Sequence, residues 1–468
     1  MLSLHSSCGT LCDGLSRREL MRIGGIGLGG LGLNQLLSAP ALGASKNAEA
    51  ASASARSCIV LFLMGGPPQH STWDPKPLAP DNVRGEIAPI STSVPGVQFG
   101  ALMPNLAQRA DQLAVLRAVS TGDNAHSSSG YYMLTGRPHT PQNRENANPG
   151  APNDWPNWGS VVQQLQTRRS ELPAAIRLPC HIFNTDGSIW PGQDGGRLGH
   201  AADPWLFRCE PASEDYEIGE FQLPEHLSLQ RLNSRRGLVR HLDERISALS
   251  SQPSLTEYAA QQQRAYGLLS SATSRGAFDL SAESPETRAR YGDSQFGQSC
   301  LLARRLIEAD VRLVQVNWHR GPEEPSANPC WDSHTDETAR LKNVLVPPMD
   351  TGFSALLDDL QERGLLDETL IVCMAEFGRT PQFNGRAGRD HWGHVFSVSM
   401  AGGGVRGGAV HGASDELGAY PQRGLIHPQD LTATIFHALG LPPEAMFYDA
   451  LQRPHAISHG RVIREILS

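Results

Sequence analysis

The 468-residue chain has no block of lysine and arginine: 40 basic residues are interspersed among 48 acidic ones, for a formal net charge of −8. Without a basic stripe to track phosphates, nucleic acid is not an expected partner. Cysteine is sparse, and no Cys-x-x-Cys occurs, which excludes a cysteine-type zinc site. There is no HExxH segment. No run beyond Leu37 is apolar enough to cross a bilayer. Internal repeats are also lacking.

What is present begins with a leader. "SRREL" at Ser16–Leu20 precedes a glycine-rich, moderately apolar stretch with small residues at Ala41 and Ala44. Paired arginines before such a stretch read as a twin-arginine export signal over residues 1–44. The apolar run Met21–Leu37 is shorter than the roughly 20 residues a membrane helix needs. The mature chain, 45–468, is therefore expected in the periplasm or outside the cell, with no stable membrane span after processing. Cys58, Cys300 and Cys373 sit in apolar runs and read as core residues. Cys180, Cys209 and Cys330 lie in loop-like surroundings, where an oxidising compartment permits a disulfide that sequence cannot assign.

Beyond the leader an α/β rhythm appears. "SCIVLFLMGG" is a short unbroken apolar run stopped by glycine, the pattern of a buried parallel strand. "LAVLRAV", "AAIRLP", "VRLVQV", "TLIVCM" and "VFSVSMA" read as further strands. Helical patterns lie between them, as in "NWGSVVQQLQTR", "CLLARRLIEA" and "PQDLTATIFHALG". From about 182 to 291 the rhythm breaks into a helical insertion. Alternation of this kind implies an α/β fold, a mostly parallel sheet with helices on both faces. Ligands of such sheets sit beyond the carboxyl ends of the strands.

Those ends collect carboxylates and imidazoles. The first offers His70 and Asp74, and the second "NAHSSSGYYMLTGR", with His126 and Ser127. The strand after Ala309 leads to His319, Asp332, His334 and Asp336. The strand at Leu370 leads to Glu376 and Arg379, and then to Asp390, His391 and His394. Mixed oxygen and imidazole donors suit zinc, manganese or another divalent ion that activates water or polarises an ester. Each residue also has a plain structural reading, such as a helix cap for "WDSHTDE" and for the serines.

The ordered set "SRREL", "GGPPQHSTWDPK", "AHSSSGYYMLTG", "WDSHTDE", "EFGRTP", "GRDHW" and "AGGGVRGG" resembles the exported domain-of-unknown-function 1501 family. That family is similar to the alkaline phosphatase and sulfatase superfamily. The resemblance implies an alkaline phosphatase-like fold and one or two divalent metal ions. It also implies a phosphate or sulfate ester substrate, either a small molecule or a glycan. Counting back from Thr135-Gly136-Arg137 places the superfamily nucleophile at His126, with Ser127 one residue off. The metal-binding aspartate after the first strand is replaced by Gly65 and Gly66, and the late Asp-His pair by Glu376-Phe377. The site is thus either rebuilt or decayed.

Two functions follow. In a metal-dependent ester hydrolase, zinc, manganese or calcium is held by Asp332, His334, Asp336, Glu376, Asp390 and His391. Ser127 or His126 attacks, and Arg379 holds an oxyanion. The alternative is a non-catalytic binding or cell-envelope protein on the same fold. The two differ in whether those carboxylates and imidazoles converge.

Overall fold

A computed structural model describes residues 53–166, 170–184, 186–216, 271–318 and 330–468, with positions 231, 234, 237 and 238 between. The expected leader, His319 and nearly half of the 182–291 insertion lie outside these residues.

Eight strands form the central sheet: β1 (Ser57–Phe62), β2 (Leu113–Val119), β3 (Ala175–Leu178), β4 (Trp205–Leu206), β5 (Leu313–Asn317), β6 (Thr369–Met374), β7 (Phe396–Ala401) and β8 (Val410–His411). Their order is β8-β2-β7-β6-β1-β5-β3-β4. Only β7 runs antiparallel to its neighbours β2 and β6. The centre is in strict parallel register, with Val60 opposite both Gln315 and Val372. β1 and β6 are buried at every position. Since alternate side chains point to opposite faces, both faces of the sheet are covered.

Five helices matter to the site and its support: α1 (His126–Thr135), α2 (Trp158–Leu165), α3 (Gln295–Glu308), α4 (Val346–Glu362) and α5 (Pro428–Ala438). Their ends follow local chemistry. Asn157 caps α2 by accepting from the Gly159 N–H, and Ser294 caps α3 through Gly297. Gly136, at φ 70°, closes α1 in the left-handed region. Glu337–Arg340 runs through a π segment, Leu341–Leu345, into α4 as one helical stretch. Cys330, expected in a loop, is fully buried.

The sheet direction gathers distant segments. The carboxyl ends of β1, β2, β3, β5 and β6 share one edge. Because β7 is antiparallel, its entry, residues 391–395, meets that same edge.

Candidate metal centre

Four approaches meet at this edge. β2 leads to His126, the first residue of α1. β6 leads directly to Glu376. The chain after β5 returns at Cys330 and places Asp332 beside the end of β1. His391 sits on a two-residue ribbon, opposite Arg379. Gly65, at φ +113°, permits this meeting, since a Cβ there would lie 2.3 Å from the Asp332 nitrogen. Glycine after β1 is thus required for Asp332 to pass so close.

The Asp332 carboxylate is the hub. Its Oδ2 lies 3.2 Å from His126 Nε2. Its Oδ1 lies 3.0 Å from His391 Nε2 and 2.9 Å from His334 Nε2. Donor atoms of His126, Asp332 and His391 all fall within 4.8 Å of one another. Each imidazole is turned by its other nitrogen. His126 Nδ1 donates to Glu376 Oε1 at 2.7 Å. His334 Nδ1 donates to Asp390 Oδ1 at 2.9 Å, and His391 Nδ1 to the Asn124 carbonyl at 2.8 Å. A carboxylate or carbonyl only accepts, so it holds the Nδ1–H tautomer and leaves Nε2 with its lone pair. All three Nε2 atoms face one carboxylate, and those of His334 and His391 lie 2.9 Å apart. His126 Nε2 and Glu376 Oε2 are buried with no hydrogen-bond partner.

The supports are equally specific. The Gly65 N–H donates to Glu376 Oε1, and Ser129 Oγ to the Glu376 carbonyl. The Phe377 ring stacks on His391 at 4.5 Å and lies 4.9 Å from the His126 ring. Trp190 flanks His126 on another side, at 5.7 Å.

His126, Asp332, His334, Glu376 and His391 come together; the other expected residues stand elsewhere. Asp336 is exposed, at φ 48° before the Glu337–Arg340 turn, and is remote from the cluster's contacts. Asp390 is half exposed and orients His334. Ser127 is fully buried, donating to Asn184 Oδ1 at 2.6 Å and accepting from the Ala147 N–H. Arg379 is fully buried. Its guanidinium donates to the carbonyls of Gly65, Gly66, Trp331 and Arg389 and to Asp332 Oδ1. An oxyanion would have to displace those bonds. His70 binds the Leu417 carbonyl, and Asp74 pairs with Lys76 and Arg117. His394 packs against Trp392 and Tyr420. Sequence reading missed Asn184, Trp190 and Glu145, whose Oε1 accepts the His126 N–H at 2.9 Å. None stands in a motif that marks it. Asn124, also missed, stands two residues before His126.

Charge balance sharpens the picture. Burial disfavours a proton on His126, but Asp332 and Glu376 outweigh it and raise the pKa to about 10. Burial and the neighbouring His126 charge push His391 down to about 3, against its bond to Asp332. Burial alone would raise Asp332, yet His126, Arg379 and His334 hold it well below the ordinary carboxylate value. One positive charge is therefore drawn in beside Asp332: a proton on His126 Nε2 supplies it, and a metal ion bound there would displace that proton.

Residues 55–467 match the family described as protein of unknown function, DUF1501. No curated protein matches. Among solved structures the chain is similar to a sulfatase from Pseudoalteromonas sp., at 12% identity over 88% of this chain and 75% of that one, with a TM-score of 0.38. It is similar to the phosphonate monoester hydrolase of Agrobacterium radiobacter, at 12% over 88% and 77%, with a TM-score of 0.39. It also resembles the alkaline phosphatase of the Antarctic bacterium TAB5, at 10% over 75% and 92%, with a TM-score of 0.30. Likenesses this loose transfer no residue role and no reaction.

Proposed function

The chain belongs to the DUF1501 family, and from that membership and the Asp332 cluster we propose an exported, metal-dependent hydrolase of phosphate or sulfate esters. One observation carries the reading: the Nε2 atoms of His126, His334 and His391 turn toward one buried carboxylate, with every Nδ1 tied to an oxygen. Three imidazole nitrogens and one carboxylate converging on a point match the donor set of a divalent ion.

The donor set fits a divalent ion. His126 Nε2, buried beside Asp332 Oδ2 at 3.2 Å without a well-aligned hydrogen bond, is the kind of atom a ligand satisfies. Imidazole with one carboxylate favours zinc, then manganese; calcium prefers an all-oxygen shell. In this reading Asp332, His126, His391 and His334 are ligands. Glu376 and Asp390 orient imidazoles, and Arg379 pins Asp332 from behind. A bound ion supplies Lewis acidity toward an ester oxygen and eases deprotonation of water. Phe377 and Trp190 keep bulk water from the inner side of His126. The glycine after β1 and the arrival of Asp332 describe a site rebuilt around another carboxylate. Export by the twin-arginine route, to the periplasm or beyond, rests on the leader alone. A small-molecule or glycan ester is the substrate class carried by the family resemblance.

One observation favours binding without turnover. Ser127 and Arg379, the side chains expected to attack and to clamp, are both engaged elsewhere. Elemental mass spectrometry of the folded chain, dialysed without chelator, tests the ion. Aryl phosphate and aryl sulfate turnover, lost on chelation and restored by metal, tests the hydrolase. Retained metal with no turnover leaves a metal-holding binding protein; no retained metal removes the hydrolase and leaves the binding protein without an ion.

A further inference from the structure

Cys180 and Cys209 lie at matching positions past the ends of β3 and β4. The register pairs Ile176 with Trp205 and Arg177 with Leu206. The ladder continues beyond the strands: the Phe207 N–H donates to the Arg177 carbonyl at 2.8 Å, and the Cys209 N–H to the Pro179 carbonyl at 3.3 Å. The Pro179 carbonyl carbon is bonded to the Cys180 nitrogen, so Cys180 and Cys209 are lateral neighbours. Adjacent strands lie about 4.8 Å apart, within the roughly 4.4–6.8 Å between Cα atoms that a disulfide spans.

Two further observations point the same way. Both residues are half-buried and line one open cavity of about 500 Å³, shared with Met64, His181 and Trp318. Cys58, Cys300, Cys330 and Cys373 are all buried in the core.

We infer that Cys180 and Cys209 form an intrachain disulfide when the chain meets a disulfide oxidant. One cysteine thiolate attacks the oxidant's S–S bond and is captured as a mixed disulfide. The second thiolate then displaces the remaining half. One S–S bond forms in the chain and one breaks in the oxidant. Two electrons pass to the oxidant, and the two protons end on its released thiols. The bridge ties both ends of the excursion from 181 to 208. That excursion carries Asn184, which holds Ser127, and Trp190, which packs on His126. The disulfide is thus a staple on one wall of the candidate metal centre, and it stands whether or not that centre hydrolyses esters.

The test uses the full chain treated with oxidised glutathione, then denatured and alkylated. Peptide mass spectrometry is expected to find Cys180 linked to Cys209, with Cys58, Cys300, Cys330 and Cys373 alkylated. Dithiothreitol should remove the link and lower Tm, and Cys209→Ser should abolish both effects. Full alkylation of Cys180 and Cys209 after oxidation overturns the inference. So do glutathione adducts resting on each separately, or an oxidation-dependent Tm gain that survives in the Cys209→Ser variant.

Discussion

At the scale of single residues, the cluster separates donors from the groups that aim them. Glu376 reads as a ligand in sequence because it ends a strand, yet its Oε1 is spent on His126 Nδ1 and the Gly65 N–H. The Glu376→Gln variant keeps the shape and loses the charge that fixes the imidazole. Metal affinity is expected to fall about 10–100-fold, the usual cost of losing such a partner. A competition titration against a chelator measures it; unchanged affinity would mean that Glu376 does not orient the ligand. Ser127 gives the opposite expectation. Ser127→Ala strips the partner from Asn184 and from the buried Ala147 N–H, costing about 1–3 kcal/mol. Denaturant unfolding reads that loss, and metal-dependent turnover per folded molecule should persist. If turnover vanished while fold and metal remained, Ser127 would regain the role of nucleophile.

Among the elements, α1 is the one whose sequence is most tightly constrained by its surroundings. It is buried along its whole length, so its small residues are packing requirements. A Cβ on Gly130 would sit 2.4 Å from the Trp190 ring, and one on Gly136 would sit 2.4 Å from Thr432 Oγ1 of α5. Gly130→Ala therefore overpacks the contact that seats His126 beside Trp190. A loss of about 1–3 kcal/mol is expected, despite alanine's better helix propensity. Thermal unfolding checks it, and a stabilised variant would show that Trp190 moves aside at little cost. The helix's existence was legible in "NAHSSSGYYMLTGR" from its apolar run and the closing glycine. That the serines hold main chain and Asn184 was not, because their partners come from the segment after β6, the 181–208 excursion and the 144–147 loop.

For the whole molecule, a buried ion network joins α3 and α4 to the segment before them. Arg304, 1% exposed at its side chain, reaches Glu283 at 2.8 Å and Asp359 at 2.9 Å. Arg363 pairs with Asp359 and Tyr291 donates to it. Burial alone would raise both carboxyls, yet these partners hold Asp359 and Glu283 below their ordinary values. A depressed carboxyl contributes stability above its unfolded pKa, about 4, and that contribution is lost as pH falls through the folded value. Tm should therefore drop on acidification below about pH 4. Arg304→Ala leaves Asp359 with Arg363 and Tyr291, and Glu283 with Arg305, so a loss of about 1–3 kcal/mol is expected near neutrality. The variant should also show a shallower acid dependence in calorimetry. A wild-type slope in the variant would place the acid sensitivity elsewhere. No helix among the described residues is long and apolar enough to cross a membrane.

The sequence by itself determined the α/β architecture and the family. Unbroken apolar runs such as "SCIVLF" and "TLIVCM" have one use, as strands covered on both faces, and that information is local. It also determined that imidazoles and carboxylates stand at strand ends. Only the tertiary structure decided which of them meet. Parallel strands bring residues 126, 332, 376 and 391 together from segments far apart in the chain, and the antiparallel β7 delivers His391 to the same edge. Which nitrogen of each histidine faces inward depends on Glu376, Asp390 and the Asn124 carbonyl. Arg379, polar and strand-ending, reads in sequence as the holder of an oxyanion; five buried acceptors around it engage its guanidinium. Side-chain direction and the identity of partners are properties of packing, and no pattern along the chain encodes them.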